Sequence, residues 1–140
     1  MRDVYAVAWR RRVAAAALAV ALVGCAMPPE KSGEAAPVAA PCPQGVPAGT
    51  RCLRGRDSAG AHYLIVVPAQ WSGVLVVHAH GGPLLGEPKA ERADEDLKRW
   101  AVTLKAGHAW AGSVFRQGGV AVRSAAEDSE RLRRIFVEHV

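Results

Sequence analysis

The chain has 140 residues, of which 50% are hydrophobic and 22% charged, and its formal charge is +5. That balance excludes a disordered acidic or basic tail and a low-complexity polymer, and the length suits one folded domain. The positive charge is not a nucleic-acid footprint: Arg2, Arg10, Arg11 and Arg12 precede residue 25 with a single acid, Asp3, so a chain that begins at Cys25 carries only +2. Affinity for a polyanion needs cations clustered on the domain itself.

The first segment reads as an address. Residues 1–12 carry the four arginines, residues 13–23 form an uninterrupted apolar run of 11, and Gly24-Cys25 follows. This is the order of a secretory signal peptide. At ~1.5 Å per residue the run spans about 17 Å, well short of a hydrocarbon core of ~30 Å. The segment Leu22-Val23-Gly24-Cys25 resembles the lipobox of bacterial lipoproteins. The resemblance implies removal of residues 1–24, lipid on Cys25, and a chain anchored in the bacterial cell envelope, facing the periplasm or the exterior.

Export bears on the other cysteines. Cys42 and Cys52 are ten residues apart, and in an oxidising compartment a disulfide is the default for such a pair. A loop this short contributes a little under the ~3 kcal/mol expected for fifteen residues. Residues 25–49 are rich in Pro, Ala and Gly with few large apolar side chains, which predicts a flexible tether between lipid and domain.

The domain is expected over residues 50–140. Residues 61–68 and 73–80 are runs of β-branched and apolar residues separated by Pro68 and Ser72-Gly73, and they predict two buried strands. Pro88 then opens a helical pattern over residues 89–106, with Ala93, Leu97, Trp100 and Leu104 on one stripe and Gly107 after it. Residues 108–115 read as a further strand. Ser124-Ala125-Ala126-Glu127 has the spacing of a capping box and predicts the start of a last helix, whose stripe continues through Leu132, Ile135, Phe136 and Val140. Arg131, Arg133 and Arg134 are expected on its solvated face. Strands that alternate with long helices predict an α/β domain with about four mostly parallel strands and two amphipathic helices.

The chemically informative stretch is His78-Ala79-His80-Gly81-Gly82-Pro83, after a strand and before a helix. Ligands of open α/β sheets bind beyond the carboxyl ends of strands, and paired glycines let a backbone approach a ligand closely. Here the sequence resembles the α/β-hydrolase superfamily of serine esterases, lipases and peptidases, whose His-Gly-Gly-x loop after the third strand supplies part of the oxyanion hole. His80-Gly81-Gly82-Pro83 matches that loop, and the order strand, strand, loop, helix, strand, helix matches the first part of that fold. The resemblance implies an oxyanion donor at Gly81 or Gly82, a loop shaped by His80 and Pro83, a small ester or peptide substrate in full-length relatives, and no cofactor. It also implies a nucleophile in Gly-x-Ser-x-Gly, and that pattern is absent from the 140 residues. The expectation is an amino-terminal portion of an exported serine hydrolase, truncated before the nucleophile elbow and inactive alone.

Two other readings use the same residues. His78 and His80 are spaced i, i+2, which on a strand places both on one face as metal ligands of a hydrolase would be. A non-catalytic envelope lipoprotein that binds a partner or small ligand is the other. Arg116, beyond the third of these strands, lies where it can meet a substrate carboxylate or form a structural ion pair. The strand at residues 73–80 has no charge or proline within Val74–Val77 to discourage pairing, so an open edge there predicts self-association.

Overall fold

The computed structural model describes residues 33–81 and 85–140. The leader, Cys25, Gly82 and Pro83 lie outside the described residues. Five strands form one sheet: β1 (Val38–Ala39), β2 (Arg51–Arg56), β3 (His62–Val67), β4 (Leu75–His78) and β5 (Ala109–Ser113). Among the described residues three helices accompany them: α1 (Arg92–Trp100), α2 (Val102–Lys105) and α3 (Val122–His139).

The sheet order is β1-β2-β3-β5-β4. Its first three pairings are antiparallel and only β4 with β5 is parallel. The expected mostly parallel sheet of an α/β-hydrolase type is therefore wrong for the described residues. The reason is the length of the connections. Between β2 and β3 lies a tight turn in which Asp57 N donates to Ala61 O at 2.9 Å, and Asp57 Oδ1 accepts from the amides of Ala59 and Ala61. A turn that short returns the chain antiparallel. Only the β4 to β5 connection contains helices, and only it supports a parallel crossover.

Strand alternation then sorts the core into two layers. Tyr63, Ile65, Val67, Ala109 and Ala111 pack against Leu132, Ile135 and Phe136 of α3. On the opposite face Leu64, Val66 and Trp110 meet Ala93 and Leu97 of α1 and Leu104 of α2. The sheet is thus covered by helices on both sides.

Several local expectations shift. The single helix over residues 89–106 is two pieces meeting at Ala101, where Leu104 N reaches Ala101 O at 3.1 Å in a tightened turn. Ser124 does not cap α3, which starts at Val122; the Ser124 hydroxyl donates back to Ala121 O at 3.0 Å, and Glu127 is drawn to arginines instead. Part of the expected tether also lies on the domain. Val38–Ala39 pairs with β2, Cys42 is disulfide-bonded to Cys52, and the Glu34 carboxylate accepts from Ser58 N and Oγ at 2.7 and 2.6 Å. Those residues have no periodicity of their own, and side-chain bonds and one cross-link seat them. No helix of the described residues is long and apolar enough to cross a membrane.

Candidate functional site

The carboxyl ends of β4 and β5 lie side by side, and the residues that follow each strand form the site. His78 is the last residue of β4 and is paired in register with Gly112 of β5. The missing side chain at Gly112 leaves room for the Trp110 indole: a Cβ there would stand 2.3 Å from the ring. His78 stacks on that indole and also meets Trp100 of α1. Its Nε2 is buried without a hydrogen-bond partner among the described residues, 3.9 Å from the Asp96 carboxylate. Burial lowers the His78 pKa; Arg92 and Arg99 act in the same direction and Asp96 opposes them.

Two residues on, His80 leaves the strand and lies on Phe115, ring centroids 4.2 Å apart. Both of its ring nitrogens are buried and lack a well-formed hydrogen bond among the described residues; burial is the main cause of its lowered pKa, which the Asp96 carboxylate and the Gly81 backbone oppose. Phe115 has φ of 51°, a left-handed backbone that a bulky residue adopts only when its surroundings hold it there. That turn places its ring beneath His80.

A cavity of about 480 Å³ opens beside these residues. His80, Gly81 and Phe115 form one wall, and Val122, Ala126 and Ser129 of the α3 amino-terminal half form another. The expected oxyanion residue Gly81 is thus at the cavity, and a Cβ built on it meets no described atom within 4 Å. Gly82 and Pro83 lie outside the described residues.

Arg116 does not face the cavity as a free cation. Its backbone amide and its guanidinium bind Asp128, at 2.8 and 2.5 Å, and it also pairs with Glu127. Asp128 is 0% exposed and takes a second arginine, Arg131, at 2.7 Å; Arg131 reaches on to Asp57 at 2.9 Å. Arg116 is therefore a structural cation that fixes the β5 to α3 loop. Arg131, expected on a solvated face, crosses from α3 to the β2–β3 turn, and sequence reasoning missed this chain of charges. The i, i+3 spacing of Asp128 and Arg131 was its one local signal.

The metal reading finds no further ligands: among the described residues no group of three or more His, Cys, Asp or Glu side chains is placed to hold an ion. His78 and His80 also diverge, one to the tryptophans and the other to Phe115. No described serine at the cavity has a base beside it. Ser129 donates to Ala125 O at 2.8 Å, Ser113 accepts from Phe115 N, and Ser58 is held by Glu34. Among the described residues the one serine paired with a histidine is Ser72, whose Oγ is 2.9 Å from His108 Nδ1. Those residues precede β4 and β5, so they sit at the other end of the parallel pair.

Comparison with known protein families, curated proteins and solved structures finds no match.

Proposed function

We propose that this chain carries the carbonyl-binding part of an exported, lipid-anchored serine hydrolase that cleaves ester or amide bonds. The observation that carries the proposal is the position of His80-Gly81 at the carboxyl end of β4, beside its parallel neighbour and on the wall of the cavity. The proposal rests on that loop and not on a mostly parallel sheet. A glycine amide held there can donate to an oxyanion, where a preorganised donor contributes most because it acts in a site shielded from water. His80, kept neutral by burial, holds the loop against Phe115 and has no proton-transfer role. The nucleophile and general base are not among the described residues, and an oxyanion donor without them polarises a carbonyl but forms no acyl intermediate.

The test is labelling by a fluorophosphonate probe together with hydrolysis of p-nitrophenyl esters. The 140-residue chain is expected to be unlabelled, and the chain expressed with the sequence that follows it in the genome is expected to be labelled at one serine. In that active form Gly81→Pro, which removes the amide, should lower kcat by roughly 10²–10³, whereas Gly81→Ala, which keeps it, should be tolerated. Labelling that never appears, or equal effects of the two substitutions, overturns the reading in favour of a non-catalytic binding module. The anchor has its own test: Cys25→Ser should release the protein from membranes or block its processing, and unaltered protein found wholly in the soluble fraction counts against lipidation.

A further inference from the structure

Resting on that reading of the site, we infer that the cavity takes a neutral aliphatic acyl group, so that the substrate is an acyl ester or amide whose acyl part carries no charge. Most of the lining is apolar: Phe115 on one side, the exposed Val120 and Val122, and Ala125 and Ala126 on α3. Its volume, about 480 Å³, falls among sites for small molecules. The charged groups nearest by sequence are turned elsewhere. Arg116, Arg123 and Glu127 line an adjoining hollow of about 420 Å³ that shares Gln117, Val120, Ala121 and Val122 with the cavity, and there Glu127 pairs with both arginines. No charged side chain lines the first cavity, so a carboxylate or ammonium placed there gains no counter-charge from the lining, whereas a neutral group needs none.

Three polar side chains line the cavity: Gln117, whose Oε1 accepts from Ser124 Oγ, Ser129, which donates to Ala125 O, and His80. Both ring nitrogens of His80 are shielded from solvent and lack a well-formed hydrogen bond among the described residues, the Gly81 backbone being their nearest hydrogen-bonding influence, and this is an exception among native polar groups. The carbonyl oxygen of an acyl group is the acceptor that such a ring lacks, and the ring's lowered pKa leaves it as a neutral donor. Gly81, next in the chain and on the same wall, then stands beside the same carbonyl. The apolar walls take the alkyl chain.

The experiment uses the whole chain and follows the methyl resonances of Val122, Ala125 and Ala126 during titration with 2-octanone, octanoate and octylammonium. Saturable shifts with 2-octanone are expected, with octanoate and octylammonium at least about tenfold weaker. His80→Phe keeps a ring on Phe115 but removes the donor, and should weaken 2-octanone binding by about tenfold, the value of one hydrogen bond. Ala126→Phe should fill the cavity and abolish the shifts; if that variant does not fold, the ligand series on the unaltered chain still decides. Absence of saturable shifts, or equal or tighter binding of either ion, overturns the acyl assignment. That failure is separable from failure of the hydrolase reading: an active form sensitive to Gly81→Pro that prefers charged acyl groups removes only this inference, and a chain that binds 2-octanone but never gains activity removes only the other.

Discussion

His78 lies over the indole of Trp110, ring centroids 5.6 Å apart and 26° from parallel, and the space for that contact exists because its partner in the parallel ladder is Gly112. The pairing ties the last residue of β4 to the core of the α1 face, since Trp110 is fully buried there with Leu64 and Leu97. The loop that carries His80 and Gly81 therefore starts from a fixed point.

Adding one methyl at Gly112 should displace that indole. Gly112→Ala is expected to destabilise the domain by about 1–3 kcal/mol, the usual effect of overpacking a filled core, and to alter the fluorescence of Trp110. Urea denaturation with fluorescence detection checks both. An unchanged midpoint would mean that the ring moves freely and that the loop is not anchored through it.

Both histidines at the site should make stability depend on pH in one direction. Their folded pKa values are lowered from 6.5, chiefly by burial, so the unfolded chain binds protons first as the pH falls. Their contribution is complete above 6.5 and is lost progressively as the pH falls from there toward the folded values. Glu130, held at about 2 by Arg133 and Arg134, titrates well below this window and does not mask it. The thermal midpoint is expected to fall between pH 7.5 and pH 5, and His78→Gln with His80→Gln should flatten that slope. A slope unchanged in the double variant would show that other groups carry it.

Arg116 and Asp128 separate structure from substrate recognition. Asp128→Ala leaves Arg116 and Arg131 facing a buried site without their shared anion and should cost about 3 kcal/mol, at the low end for a broken buried pair because both arginines keep some contact with water. Arg116→Ala should likewise lower the urea midpoint and leave the binding of a neutral ketone in the cavity unchanged. Loss of ketone binding with unchanged stability would return Arg116 to the role of a substrate contact.

How much of this was legible in the sequence follows from the kind of signal each element carries. β3 and the helices α1 and α3 announce themselves through runs and stripes of apolar residues whose burial outweighs local choices. β1 has two residues in a Pro- and Ala-rich stretch, and β2 alternates three arginines with Cys52, Leu53 and Gly55, so neither has a pattern to read. Alternation of strands and helices predicts parallel strands throughout, whereas among the described strands only β4 and β5 are joined by helices and only they run parallel. At the site, the position of His80-Gly81 after a strand is local and could be read. The seat of His80 on Phe115 and the path from Arg116 through Asp128 and Arg131 to Asp57 join residues far apart in the chain, and no local spacing announces them.

The edge of the sheet supplies the last prediction. β4 has β5 on one side and, among the described strands, nothing on the other. Its four residues are half-buried and Val74 just before it is 47% exposed, while β3 and β5 are almost wholly buried. No charge or proline interrupts Val74–Val77, so the outward amides and carbonyls form a template for another strand. A second copy can use it if the two β4 strands run antiparallel about a two-fold axis normal to the sheet. Paired side chains then share a face only when the axis passes a single residue, as with Val76 opposite Val76 and Leu75 opposite Val77. The 140-residue chain is therefore expected to sediment as a concentration-dependent dimer or larger species, with the outward amides of β4 protected from hydrogen exchange only at high concentration. Val74→Lys should shift it toward monomer. A monomer at all concentrations with every β4 amide protected would show that this edge is covered by another segment of the chain.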